Sequence, residues 1–132
     1  MNDVPQRIET HDAPRPGGHY SQAMVANGFV FVSGQLPIHH DGTIHRHESF
    51  DVQARIAIGN MLTVARAAGC DPEHLVKVTA YIVGIDNWRH FNAIYDEMLG
   101  YARPARTVVP VLELHHGCLV EVEAIGAVRP AE

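Results

Sequence analysis

Arg106 is the residue whose type and position best suit the binding of a small anion. It stands at the head of an apolar run, Arg-Thr-Val-Val, that is typical of a β-strand. A guanidinium keeps its charge and offers two parallel donors that match a carboxylate. Pairing with an acid on the protein surface is the commonest use of an arginine, and composition does not choose between the two roles.

Glu121 and Glu123 are the second chemically notable feature, because they alternate with apolar residues near the end of the chain. In residues 119–125, strict alternation places both carboxylates on one face of a strand and apolar side chains on the other. Both glutamates could face water, which the sequence favours for Glu123. Glu121 could instead line a wet cavity bounded by a second subunit, and the sequence leaves this alternative open.

Histidines are numerous, ten in all, and four of them cluster in one polar stretch around residues 39–47. A zinc site needs three or four ligands at defined spacing with supporting hydrogen bonds. This stretch is predicted to be an exposed turn, so no metal site is predicted. The four histidines are His39, His40, His45 and His47.

The two cysteines, Cys70 and Cys118, have no metal or redox spacing and are predicted to be free, packed thiols. The chain carries a net charge of −5 with no basic stripe, which argues against a nucleic-acid partner. No apolar run reaches the roughly 18 residues that span a bilayer, and no signal peptide is recognised at the start. We therefore expect a cytoplasmic protein.

The length of 132 residues, with 46% hydrophobic and 19% charged residues, predicts one globular domain over residues 1–132. Residues 1–17 are expected to form an N-terminal edge segment and loop. Asn27-Gly28 between two apolar runs predicts a tight hairpin, because both residues tolerate positive φ. Further strands are predicted over residues 76–83, 105–114 and 119–128. The first of these should place one set of alternating residues on a single face, namely Val76, Val78, Ala80 and Ile82.

Two helices are predicted between these strands. Ser49 is expected to cap the first, which runs to about Ala68 and ends before Gly69. Asp86 is expected to cap the second, which ends at Gly100. Its apolar stripe predicts a set of buried residues, namely Trp88, Phe91, Ile94, Tyr95 and Met98.

Two helices can cover only one face of a sheet with five or six strands, which predicts an α+β sandwich of two layers with a mixed sheet. The other face of the sheet must then be solvated or buried against another subunit.

Short segments in sequential order resemble successive motifs of the RidA/YjgF family, from about residue 17 to residue 128. The segments are Tyr-Ser-Gln-Ala (20–23), Phe-Val-Ser-Gly-Gln-Leu-Pro (31–37), Val-Lys-Val-Thr-Ala-Tyr (76–81), Phe-Asn-Ala-Ile-Tyr (91–95), Pro-Ala-Arg-Thr (104–107) and Val-Glu-Val-Glu-Ala-Ile (120–125).

This resemblance implies a chorismate-mutase-like fold in a barrel-like homotrimer with clefts between subunits. It also implies hydrolysis of 2-imino and 2-enamino acids to 2-keto acids and ammonia without a metal or organic cofactor. By the same resemblance Arg106 binds the substrate carboxylate and Glu121 holds the attacking water, staying ionised if an arginine lies near it. The remaining substrate-binding residues implied are Tyr20, Ser33, Gly34, Asn92, Thr107 and Val108.

The chain departs from the family pattern at Gly18-His19, at Leu114-His115-His116 and at Pro110, which must lie at an edge or a bulge. The first two departures fall in loops near the expected cleft, so they bear on which substrate is accepted. A pathway-specific deaminase of a larger enamine such as 2-aminomuconate is one alternative. A non-catalytic trimeric module that binds small carboxylates or acts as a holdase is another. The acidic charge argues against the ribonuclease activity that has been attached to the family.

Overall fold

A computed structural model describes residues 4–130; residues 1–3 of the predicted N-terminal segment and residues 131–132 lie outside the described part. The chain forms six strands and two helices, with short 3-10 turns between some of them. The elements are β1 (Gln6–Ile8), β2 (Ala23–Ala26), β3 (Phe29–Gln35), α1 (Phe50–Ala67), β4 (Leu75–Val83), α2 (Trp88–Leu99), β5 (Ala105–Val111) and β6 (Val120–Ala127).

The strands form one mixed sheet in the order β1-β2-β3-β6-β4-β5. Only β4 and β5 run parallel, joined through α2, and the other neighbours are antiparallel. Helix α1 packs against β3, β6 and α2, so the predicted two-layer α+β sandwich is confirmed. Strand β6, the last in the chain, lies at the centre of the sheet, and β5 lies at its edge. Pro110 therefore sits on an edge strand, as predicted.

Helix α1 begins where predicted, because the Ser49 hydroxyl accepts a hydrogen bond from the Val52 N–H at 3.3 Å. It ends before Gly69, whose φ of +87° suits glycine. The hairpin between β2 and β3 is also confirmed, with positive φ at both Asn27 and Gly28.

Two buried amides on α1 fix the loops around it. The Gln53 amide donates to the carbonyl oxygens of Arg46 and Glu48, and its oxygen accepts from the Leu119 N–H at 2.9 Å. The Asn60 amide donates to the Leu36 and Ile38 carbonyls. These bonds satisfy main-chain groups that have no partner in the sheet.

The prediction that Val76 lies on one side of the strand with Val78, Ala80 and Ile82 is wrong for Val76 alone, since the other three are buried. Val76 is 46% exposed, whereas Leu75 is buried. The register between β4 and β6 shifts between Leu75 and Lys77, which leaves Val76 as the extra residue of a bulge. The bulge reverses the alternation of buried and exposed side chains before it, so Leu75 is buried in place of Val76.

The start of α2 also differs from the prediction. Asp86 lies inside a 3-10 turn, Ile85–Asn87, and does not cap the helix; the Asn87 amide donates instead to the Val83 carbonyl at 2.9 Å. Trp88 then falls in the first turn of the helix and is 40% exposed, not buried. The burial of Phe91, Ile94 and Tyr95 is confirmed, while Met98 is half-buried.

The face of the sheet opposite the helices carries no covering element within residues 4–130. Phe29 and Phe31 on this face are 42% and 46% exposed. They share it with Glu121, Glu123 and residues of β4, so it is partly apolar and partly charged. We call it the open face. Within the described residues, neither helix combines the length and the apolar character needed to cross a membrane.

Candidate active site

Glu121 lies in a cleft of about 480 Å³ between the N-terminal loop and the end of β3. We call it the Glu121 cleft. Four of the predicted site residues line it: Tyr20, Ser33, Gly34 and Glu121. Other lining residues come from the N-terminal loop and from the turn before β6, and they include Arg15, Gln22, His115 and His116.

A bulge in β3 aims Ser33 and Gly34 at this cleft. Val32 pairs with Ala124 and Gln35 with Val122, so two residues of β3 stand against one of β6. The Ser33 hydroxyl donates to the Ser21 carbonyl at 2.6 Å, and this bond fixes its position while leaving its oxygen free to accept.

Gly34 lets the side chain of Glu121 rest against its main chain. A Cβ atom built at Gly34 would stand 3.0 Å from Glu121 Cδ and 3.3 Å from Cγ. Any side chain at position 34 would therefore push the carboxylate away. The glycine provides a close approach of main chain and functional group, not a special φ.

Burial raises the pKa of Glu121 above its ordinary value of 4.5. Nearby His115 opposes this shift and Glu123 adds to it. Within one chain, no arginine is among the causes of this shift, and desolvation is the largest of them. The pKa is moved toward the range in which a carboxylate can accept and return a proton.

Arg106 lies on the other side of the sheet from Glu121. In the sheet, Arg106 of β5 pairs with Val78 of β4, and Val78 pairs with Ala124 of β6. Val78 and Ala124 are buried under the helices. Glu121 is level with Tyr81, on the open face. Neighbouring residues in a sheet project to the same side, so Arg106 and Glu121 of one chain point in opposite directions.

Three aromatic rings of α2 hold the Arg106 guanidinium. Its Cζ atom is 5.8 Å from the ring centre of Trp88, 5.9 Å from that of Phe91 and 4.8 Å from that of Tyr95. Such contacts hold a cation while leaving its N–H groups free. No ion pair found among residues 4–130 includes Arg106. The cation is therefore placed and unneutralised, as an anion-binding group must be.

Two of the other predicted site residues, Asn92 and Val108, lie on the same side of the sheet as Arg106. Asn92 is half-buried on α2, next to Phe91, and Val108 is half-buried two residues beyond Arg106 on the same face. Thr107 is exposed on the open face, where its hydroxyl accepts from Lys77 Nζ at 2.8 Å. The predicted set thus divides within one chain into a cleft group (Tyr20, Ser33, Gly34, Glu121) and an edge group (Asn92, Arg106, Val108). Thr107 belongs to neither, because it lies on β5 but faces the open side of the sheet.

Gln22 is a structural contributor that the sequence reasoning missed. Its buried amide accepts from the Thr10 N–H at 2.7 Å and donates to the carbonyls of Thr10, Ala13 and Pro14. This one side chain fixes the N-terminal loop that forms one wall of the Glu121 cleft. A glutamine inside an otherwise apolar strand start was the available signal.

The histidine-rich stretch is a mostly exposed turn, as predicted. His39 pairs with Asp41 at 3.2 Å and His45 with Glu48 at 3.9 Å. The one group of three closely spaced candidate ligands within residues 4–130 lies elsewhere, at Asp71, Glu73 and His74. Both cysteines are buried and their thiol pKa values are raised by that burial, which makes them poor nucleophiles.

Known proteins match this chain over nearly its whole length. The family model described as endoribonuclease L-PSP matches residues 10–128. A RutC family protein of Pyrococcus horikoshii is 38% identical over 120 residues, which cover 90% of this chain and 94% of the relative.

Two solved structures show the same fold at similar identity. RidA from the Antarctic bacterium Psychrobacter matches with a TM-score of 0.88 and 31% identity, over 93% of this chain and 99% of its own. Escherichia coli TdcF, solved with bound serine, matches with a TM-score of 0.87 and 31% identity, over 95% and 99%. By fold and by sequence, the chain belongs to the RidA/YjgF family.

Proposed function

We propose that this protein hydrolyses reactive 2-imino and 2-enamino acids to 2-keto acids and ammonia, in sites shared between the subunits of a homotrimer. Membership of the RidA/YjgF family supports a deaminase role in general terms. The observation that carries the proposal is the arrangement of two groups. An unneutralised Arg106 and a partly desolvated Glu121 are both held in place, on opposite faces of one sheet.

A second subunit is needed to bring these groups together. Arg106 lies on the edge strand β5 and Glu121 on the central strand β6, facing away from each other. The open face, with its exposed Phe29 and Phe31, is a surface that subunit contact would bury. In a closed ring of subunits, each Glu121 cleft can receive the Arg106 of a neighbour.

Arg106 binds the substrate carboxylate through two parallel N–H donors and so fixes C2 of the substrate. Glu121 accepts a hydrogen bond from a water and directs its oxygen at C2, which is already electrophilic in the protonated imine. The new C–O bond forms as the C=N π pair moves to nitrogen, and Glu121 takes a proton from the water. Glu121 then returns the proton to nitrogen. The C–N bond breaks as an electron pair on the hydroxyl oxygen forms the C=O bond, the hydroxyl proton passes to Glu121, and the keto acid and ammonia leave.

This chemistry requires positioning and proton transfer but no redox or electrophilic cofactor. Positioned acid–base assistance contributes about 10²–10⁴-fold, which suffices for a reaction that already proceeds in water. The serine bound to TdcF carries a carboxylate and a nitrogen on the same carbon, as a 2-imino acid does. That similarity supports the assignment of the substrate class.

The direct test is an imine-decay assay. 2-Iminopropionate is generated in situ from alanine by an amino-acid oxidase, and imine decay is followed with and without the protein. We expect the protein to accelerate decay in proportion to its concentration. Equal rates with and without it, together with measurable binding of small carboxylates, would instead establish a non-catalytic binding module.

The pH dependence of kcat/KM should report the ionisation of Glu121. The carboxylate form accepts the proton of water, and burial raises its pKa above 4.5, so activity should rise with pH through a limb centred above that value. Glu121→Gln should remove this limb together with most of the activity. Glu123→Gln is the matched control: since Glu123 raises the pKa of Glu121, its loss should move the limb to lower pH without abolishing it. An unchanged limb in Glu121→Gln would contradict the assignment.

A further inference from the structure

Arg15 belongs to the wall of the Glu121 cleft, although no part of the mechanism above uses it. It lies in the N-terminal loop between Pro14 and Pro16. It lines both the Glu121 cleft and an adjoining hollow of about 720 Å³. Arg15 therefore stands where a substrate longer than the reacting carbon and its carboxylate would extend.

The loop that carries Arg15 is fixed on both sides. Before it, the Pro14 carbonyl accepts from the Gln22 amide at 2.9 Å, and Gln22 is 4% exposed. After it, the Gly17 N–H donates to the Tyr20 hydroxyl at 3.2 Å. The flanking prolines restrict φ further. A fixed loop loses less conformational entropy when its side chains bind a ligand.

The charge of Arg15 has no partner among residues 4–130. None of the ion pairs found there includes it. Among residues 4–130, Glu121 is the only acid that lines the cleft, and Glu9 in the adjoining hollow is paired with Arg7. His115 and His116 also line the cleft.

Arg15 is exposed in one chain, so its guanidinium is accessible to a ligand in the cleft. Arg106 of a neighbour would neutralise one substrate carboxylate, and Glu121 would face the iminium. Arg15 would then remain as an unneutralised cation in the wall of the cleft. A guanidinium matches a second carboxylate in both charge and geometry. The volume of the cleft, about 480 Å³, exceeds what a three-carbon imino acid fills.

We propose that Arg15 binds a second carboxylate of the substrate, so that this chain prefers dicarboxylic 2-imino acids over monocarboxylic ones. This inference rests on the proposed function and names its substrate class. Arg106 of the neighbouring subunit holds the carboxylate next to C2, and Arg15 holds the one at the far end of the chain.

The test compares two imines made in situ by amino-acid oxidases, 2-iminosuccinate from aspartate and 2-iminopropionate from alanine. We expect wild type to favour the dicarboxylic imine by about 10- to 100-fold in kcat/KM, the factor typical of a hydrogen bond to a charged group. Arg15→Gln should bring the ratio close to one, mainly through KM for iminosuccinate. Arg15→Lys should keep part of it. Arg66→Gln, the same change at an exposed position on α1, should keep the full ratio.

The outcomes separate this inference from the proposed function. Turnover of both imines with the same ratio in wild type and Arg15→Gln would overturn the role of Arg15 alone. Turnover of neither would overturn the proposed function. Calorimetric binding of succinate against butyrate would then decide on Arg15, because tighter binding of succinate that Arg15→Gln abolishes supports the second carboxylate site. Equal binding of the two acids would overturn it.

Discussion

Replacing Arg106 by alanine should lower kcat/KM for 2-iminopropionate by about 10²–10³-fold, the loss expected when a bidentate ionic contact that positions the reacting carbon is removed. The guanidinium has no ion-pair partner among residues 4–130, so its N–H donors are available to the substrate. Arg106→Lys should recover only a fraction, because an ammonium is a point charge without the fork geometry.

Steady-state kinetics measure this effect, and thermal unfolding separates it from damage to the fold. Loss of the contacts with the three rings of α2 should cost about 0.5–2 kcal/mol, too little to unfold the domain. Arg103→Ala, an exposed arginine three residues earlier, is the matched control and should leave kcat/KM within twofold. An Arg106→Ala protein that kept wild-type kcat/KM would remove the basis of the proposed site.

Mixing two inactive variants should restore activity if the site is shared between subunits. Arg106→Ala and Glu121→Gln are each expected to be nearly inactive alone. In mixed assemblies, the intact Arg106 of one chain meets the intact Glu121 of another. Random mixing at equal amounts should restore about one quarter of the wild-type sites, since each site needs one intact contribution from each of two chains.

Co-expression of the two variants with different affinity tags allows the mixed assemblies to be isolated and assayed. Co-expression of two differently tagged copies of the same variant controls for the tags and should stay inactive. Mixed assemblies that form but regain nothing would place both residues outside a shared site. The opposed directions of Arg106 and Glu121 in one chain make this the sharpest test of the subunit arrangement.

Most of the fold could be predicted from local patterns. The hairpin at Asn27-Gly28 and the start of α1 at Ser49 depend on residues next to each other in sequence, and both are confirmed. The errors occur where pairing between distant segments overrides local pattern. Val76 alternates correctly with its neighbours in sequence, but a bulge set by the register with β6 turns it outward. Asp86 looks like a cap, but a 3-10 turn delays the helix past it.

The candidate site residues could be named from the motifs, but their arrangement could not be predicted from the sequence. The cleft group and the edge group both follow from the motifs, whereas their separation depends on strand order, which places β6 between β3 and β4. The aromatic stripe of α2 predicts core packing. Its contact with Arg106 depends on the pairing of β5 with β4, which no local pattern shows. Arg15 gave no signal in the sequence, because an arginine between two prolines has no periodicity to mark its direction.

The hydrogen bonds by which Gln22 fixes the N-terminal loop bear on which positions of the loop can change. Its amide bonds only to main-chain groups, those of Thr10, Ala13 and Pro14, so the path of the loop does not depend on which side chains follow. Exposed positions of the loop that do not fix its path, such as 15 and 19, can therefore change while the sheet and the reacting groups stay as they are. We therefore expect substitutions at these positions to change which substrates fit the cleft without changing the groups proposed to react.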